Sequence, residues 1–180
     1  MGKVIRDGKG IKLIEPNISF KNEYLDMISE WKKTDEVLIP WSLNLDTADF
    51  GLLVKSLNGY KDGIGLPNGF VPCTIFWLIN NESKVLGAIE IRHQLNDYLA
   101  FRGGHIGYGI RPSERNKGYA SAMLSMSLEY CKTIKLTNVL ITCSKNNIGS
   151  IKTIIRNGGI LDSEDMDSGE VFQRYWIDIK

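Results

Sequence analysis

The chain has 180 residues, a length that suits one domain (1–180) with a substantial buried core. Hydrophobic residues make up 43% and charged residues 24%, and 22 basic against 21 acidic side chains leave a net charge of +1. That balance supplies no bulk field toward nucleic acid or a membrane surface, and no apolar run approaches the roughly 18 residues that a membrane span needs.

Met1 to Lys12 is polar and lacks the apolar centre of a secretion signal. Cys73, Cys131 and Cys143 are widely spaced, with no C-x-x-C pair and no His cluster beside them. The expectation is a soluble cytoplasmic protein with reduced thiols in its core and no metal. Ile11 to Glu15 alternates apolar and charged residues as a short strand does, and Pro16-Asn17 stops it. From Phe20 to Trp31, Tyr24, Met27, Ile28 and Trp31 recur at helical spacing. A second helix is expected over Thr47 to Leu57, capped by Asp46, with Phe50, Leu53, Val54 and Leu57 on its apolar face. Asn58 to Pro72 is rich in glycine and proline and reads as a long loop.

Cys73 to Ile79 and Val85 to Arg92 read as strands joined by the turn Asn80-Asn81-Glu82-Ser83, a hairpin pattern. Gln94 to Gly104 is a polar connection. His105 to Ile110 is strand-like despite Gly107 and Gly109, which inside a strand mark a bulge or a close backbone approach. Ala120, Met123, Leu124, Ser127, Leu128 and Cys131 share one face of a helix from Lys117 to about Ile134. A buried strand over Asn138 to Cys143 and a helix over Asn147 to Asn157, closed by Gly158-Gly159, follow. Glu170 to Ile179 is the last strand. There is no internal repeat.

The junction from His105 to Ala122 carries the chemistry. A strand runs through Pro112-Ser113 into a basic, glycine-containing loop that opens a helix. Amides at a helix start lack intrahelical partners and favour an anion, phosphate above all. Gly118 and Ala120 keep that start uncrowded, and Arg115 and Lys117 add positive charge. Neither G-x-x-x-x-G-K-[ST] nor a strand-following G-x-G-x-x-G is present.

Ile106-Gly107-Tyr108-Gly109-Ile110-Arg111-Pro112 followed by Arg115-Asn116-Lys117-Gly118-Tyr119-Ala120 resembles the GNAT N-acetyltransferase signature Q/R-x-x-G-x-G/A, matched at Arg115, Gly118 and Ala120. Asn147-Ile148-Gly149-Ser150, with Arg156-Asn157-Gly158-Gly159 beyond it, resembles the second signature of that family. The resemblance implies an α/β (α+β) fold: a mixed central sheet of about six to seven strands with a splayed central pair, flanked by about four helices. It implies acetyl-coenzyme A as co-substrate, with the amides of Asn116, Lys117, Gly118, Tyr119 and Ala120 at the pyrophosphate, Arg115 beside them, and Arg111 also among the cofactor-binding residues. The splay is expected at a bulge on Tyr108 and Gly109, the Ile110 amide at the thioester carbonyl, and Asn147 and Ser150 at the pantetheine or the departing thiol.

Family members often carry a Tyr in the helix after the second signature as the proton donor, and that position here is Ile154. Glu90, His93, His105 and Tyr108 are therefore the candidate catalytic groups, the histidines because they titrate near neutrality. Tyr24, Trp31 and Trp41 are candidates to line an acceptor site. Ile91 to Asn96 and Gly103 to Tyr108 resemble a bacterial subgroup of predicted acetyltransferases. The implied reaction is direct attack of an amine, on a small molecule or a protein N-terminus, in a ternary complex; a homodimer is open to it. A second reading is a catalytically silent module that senses acetyl-coenzyme A.

Overall fold

The computed structural model of the chain describes residues 4–6 and 10–179, so part of the polar stretch Met1 to Lys12 lies outside the described residues. Five strands form one antiparallel sheet in chain order: β1 (Val4–Arg6), β2 (Ile11–Ile14), β3 (Cys73–Asn80), β4 (Val85–Arg92) and β5 (Ile106–Ile110). A second antiparallel sheet holds β6 (Asn138–Ser144), β7 (Ile160–Asp167) and β8 (Glu170–Asp178), with β8 in the middle. The implied mixed sheet with a splayed central pair takes the form of five and three strands, with the splay between β5 and β6. The backbone bond from His105 N–H to the Leu140 carbonyl, at 2.7 Å, links them at one end. Beyond that bond no strand pairing joins β5 to β6 among the described residues, so the outer edge of β5 is open.

Strand alternation divides the core into two layers. Phe76, Leu78, Ile89 and Ile91 face α3 (Tyr119–Thr133) and α4 (Ile148–Arg156), packing with Met123, Leu124 and Ile154. Ile75, Trp77, Ile79 and Ala88 face α1 (Lys21–Trp31) and α2 (Phe50–Gly59), packing with Tyr24, Met27, Phe50 and Leu53. A bulge opposite Leu78 and Ile79 inserts Leu86, which lets Leu86 share a face with Ile89 although the two are three residues apart.

The α2 cap differs from expectation. Asp49 accepts from Leu52 N–H at 2.9 Å and starts the helix at Phe50, whereas Asp46 accepts from Ala48 N–H in a turn before it. The loop from Asn58 contains a 3₁₀ turn at Tyr60–Asp62, and the connection from Gln94 contains a π-helical turn at Leu99–Gly103. No helix among the described residues is long and apolar enough to cross a membrane.

Candidate active site

Arg111 N–H donates to the Leu86 carbonyl at 2.9 Å and Arg92 N–H to that of His105 at 2.8 Å, so the odd-numbered residues of β5 bond to β4. The amides of Tyr108 and Ile110 therefore point to the open edge. Pairing of β5 with β4 runs without a register shift from Ile106 to Ile110. The splay thus needs no bulge at Tyr108 and Gly109; it arises because β6 diverges from an intact β5.

The two β5 glycines face α1 and the segment after it. A Cβ on Gly109 would collide with the Ile39 carbonyl and the Trp31 ring, and one on Gly107 would lie 3.6 Å from Pro40 and from Arg92. Glycine here permits a close backbone approach, and chain 37–40 uses it to wall the site.

After β5, the turn at Pro112–Glu114 leads to two left-handed residues, Asn116 (φ 61°) and Gly118 (φ 83°), and then α3. The first intrahelical bond of α3 is Ala122 N–H to the Gly118 carbonyl at 3.1 Å, which leaves the amides of Tyr119, Ala120 and Ser121 free to bind an anion. A Cβ on Gly118 would meet nothing within 4 Å, so the space before these amides is open. The arrangement fits a pyrophosphate.

A cleft of about 690 Å³ runs from Tyr108 and Ile110 past this loop to α4. A second, of about 420 Å³, lies between chain 37–44, β5, Tyr98, Arg102 and Glu170. Val37, Ile39, Tyr108, Asn147 and Ser150 line both. Asn147 caps α4 by accepting from Ser150 N–H at 3.0 Å, and the Tyr108 hydroxyl is 2.9 Å from Ser150 Oγ. Burial pushes the Tyr108 phenol up to about 12 against the hydrogen bond to Ser150, so it keeps its proton at neutral pH.

Of the ten expected cofactor residues, Ile110, Arg115, Asn116, Gly118, Tyr119, Ala120, Asn147 and Ser150 line the larger cleft, and Arg111 and Lys117 do not. Arg111 is 3% exposed and ties α1 to the end of β5 through Glu30 and through Asp26 at 2.7 Å. Lys117 pairs with Glu114 at 2.9 Å. Arg115 bonds the Ile110 carbonyl and both carboxylate oxygens of Glu36, at 2.7 and 2.6 Å, and lies 5.3 Å over Trp31.

Among the four catalytic candidates Tyr108 alone lines a cleft. His105 is 6% exposed, and its Nδ1 accepts from Leu140 N–H at 2.9 Å. Burial, then the charge of Arg92, pulls its pKa down to about 4, so the ring is neutral near pH 7. His93 shares a 2.8 Å hydrogen bond with Thr74, which also meets Tyr130 at 2.8 Å, away from both clefts. Glu90 is 2% exposed and pairs with Arg92 at 2.9 Å; its Oε2 has no hydrogen-bond partner among the described residues, and its strand neighbour Gly107 lines the second cleft. Trp31 and Trp41 reach the clefts, whereas Tyr24 is buried against Trp77. All three cysteines are buried thiols; Cys143 lines the second cleft, and burial raises its pKa to about 11.

The acetyltransferase (GNAT) domain of the known protein families matches residues 19–160. The chain belongs to the GNAT acetyltransferase family. Solved structures share the GNAT fold at low identity. A ribosomal-protein-S5-alanine acetyltransferase from Vibrio fischeri superposes with a TM-score of 0.73 at 12% identity, covering 98% of this chain and 97% of that one. An acetyltransferase from Salmonella typhimurium that modifies the N-terminal serine of ribosomal protein L7/L12 gives 0.71 at 13%, covering 99% and 100%. The microcin C7 self-immunity acetyltransferase MccE, in complex with acetyl-CoA and AMP, gives 0.68 at 16%, covering 95% and 93%. No curated protein matches the sequence.

Several lining residues escaped the sequence reading: Glu36, Val37 and Ile39 before the second helix, Ser121 on α3, and Lys152, Thr153 and Arg156 on α4. Lys152 and Arg156 had a readable signal, since four-residue spacing on a helix just after the second signature puts both on one face. The 36–39 segment carries no periodic signal.

Proposed function

We propose that this GNAT-family protein is an acetyl-CoA-dependent N-acetyltransferase, passing the acetyl group directly to a primary amine that enters through the second cleft. The observation that carries this reading is the shared wall: the two clefts meet at Tyr108, Asn147 and Ser150, beside the open edge of β5. Acetyl-CoA supplies an activated acetyl thioester. The free amides of Tyr119, Ala120 and Ser121 hold its pyrophosphate, and the β5 edge pairs with the pantetheine as an added strand would. The Ile110 amide polarises the thioester carbonyl. Tyr108 donates a hydrogen bond to the departing sulfur, a role that Ile154, buried in the core at 0% exposure, cannot fill. Glu90 is buried against Arg92 and lines neither cleft, so the proton released by the amine passes to solvent through the second cleft. Cys143, held as a thiol by burial, is a poor nucleophile, which supports direct transfer.

The structural neighbours named for ribosomal proteins make an N-terminal α-amine the first acceptor to test. The charge pattern argues against polycations, because the carboxylate lining the second cleft, Glu170, is committed to Arg102. Ile154 favours one alternative, a sensor that binds acetyl-CoA without turnover. Thiol release from acetyl-CoA, measured across a panel of small amines and N-terminal peptides, separates the two. Turnover with any acceptor removes the sensor; binding without turnover anywhere removes the enzyme.

A further inference from the structure

The charged side chains lining the second cleft all have partners within the chain. Arg92 donates to the carbonyls of Gly103 and Gly104, both at 3.1 Å, and pairs with Glu90 at 2.9 Å. Arg102 pairs with Glu170, also on the lining, and lies 3.7 Å from Asp167. Asn44 and Thr142 are engaged too. Asn44 Nδ2 donates to the carbonyls of Leu38 and Trp41, at 2.9 and 3.2 Å, and the Thr142 hydroxyl donates to that of Arg102. A second charge on an acceptor would lose its water here and find no unpaired counter-charge.

What remains for recognition is apolar and open to solvent. Val37, Ile39 and Tyr98, all on the lining, are 77%, 50% and 63% exposed. Trp41, on the same lining, has its ring 4.5 Å from that of Phe70, which is itself exposed. Asn96, two residues before Tyr98, ties down the Phe70 loop by donating to the Gly69 carbonyl at 2.9 Å. A single exposed apolar side chain needs no explanation, but several around one opening mark a surface that meets an apolar ligand. Val37 and Ile39 also line the larger cleft, so the apolar wall begins where the clefts meet at Tyr108. An amine attacking there sets the substituent next to its nitrogen against that wall.

We propose that the second cleft selects primary amines whose neighbouring substituent is apolar or aromatic, with Val37, Ile39, Trp41 and Tyr98 as the specificity-determining side chains. The inference rests on the second cleft being the acceptor's entrance. The substituent belongs to a free amine or to the first residue of a peptide N-terminus, since both present the same chemistry to the wall. Burying it removes apolar surface of ligand and wall together from water, and its size sets the gain. A hydroxylated substituent leaves its hydroxyl without a partner against this wall. A charged one is desolvated beside ion pairs that are already complete.

Thiol release from acetyl-CoA, followed with two acceptor series, tests the selectivity. One series is phenethylamine, ethanolamine and diaminobutane; the other is peptides that differ only in a leucine, serine, aspartate or arginine at the N-terminus. In whichever series turns over, which tells a free amine from an N-terminus, the apolar member should exceed the rest in kcat/KM by at least about tenfold, mainly through KM. Tyr98→Ser changes an exposed side chain outside the larger cleft. It should raise KM for the apolar member about fivefold and leave KM for acetyl-CoA and for the hydroxylated member within a factor of about two. Tyr98→Phe, which keeps the ring, should retain the preference. Equal or better turnover of hydroxylated or charged members, or an unchanged preference in Tyr98→Ser, overturns the selectivity while leaving the enzyme in place. Binding of acetyl-CoA with no turnover of any member overturns both the selectivity and the enzyme reading.

Discussion

At Gly118 the backbone turns at φ 83°, and a Cβ would meet nothing within 4 Å of the protein. A side chain there costs the fold only the left-handed backbone penalty, about 1 kcal/mol, while it projects into the space before the α3 amides. Gly118→Asp should therefore abolish acetyl-CoA binding, read by calorimetry, while lowering the melting temperature by only about 2–4 °C. Unchanged binding would show that the loop is not the pyrophosphate seat. Tyr108 makes a different demand, since its ring can be kept while its proton is removed. Tyr108→Phe should lower kcat about 100-fold and leave the acetyl-CoA affinity within a factor of about three. An unaltered kcat would take the sulfur contact away from this phenol. At this scale the sequence made the backbone-defined positions legible, Gly118 and Asn147 among them, because turn and cap geometry constrain residue type. It left His105 and Arg111 open, because their roles depend on partners far along the chain: Leu140 for the first, Glu30 for the second.

Among the elements, α4 is short and depends on its cap. Asn147 accepts from Ser150 N–H, and Ser150 in turn holds the Tyr108 hydroxyl, so the cap and the reacting end of the cleft are one structure. Asn147→Ala should cost about 1 kcal/mol in a denaturant melt and should reduce kcat as well, whereas Asn147→Asp keeps the cap and should restore stability. A loss of stability with kcat intact would separate the cap from the site. Helices with strong periodicity, α1, α3 and α4, and the β3–β4 hairpin were readable from pattern alone. Strand β7 was not: most of Ile160 to Asp167 is exposed on an edge of the second sheet, and its acidic run has no buried face to impose alternation. β1 escaped for a related reason, being three residues long and pairing only with β2. Gly109 was legible as a close approach, but it serves Trp31 and the Ile39 carbonyl across the sheet face and leaves the pairing with β4 unbroken.

Across the whole molecule, two titrating groups hold parts of the fold to the site, and both make it sensitive to acid. Glu30 receives Arg111 and also Ser113 N–H at 2.7 Å, which fixes the turn leading to the pyrophosphate loop. Burial raises its pKa, but the hydrogen bonds from Arg111 and Ser113 outweigh burial and hold it at about 2, below the ordinary 4.5. His105, joining the two sheets through Leu140, is held down to about 4 from 6.5, chiefly by burial. In both cases the folded state binds a proton less readily than the unfolded chain, so the unfolded state carries the excess protons and stability rises with pH. The His105 contribution is complete above about pH 6.5 and fades toward pH 4; that of Glu30 is complete above about 4.5 and fades toward 2. Melting temperature should fall in two stages as pH drops from 7 to 3. His105→Gln should flatten the upper stage and Glu30→Gln the lower, each lowering stability at pH 7. Because Glu30 also sets the turn before the loop, its variant should weaken acetyl-CoA binding at neutral pH, while His105→Gln should leave that affinity nearly unchanged. A His105 variant that keeps the full fall between pH 6.5 and 4.5 would show that the ring is not held neutral at the junction of the sheets.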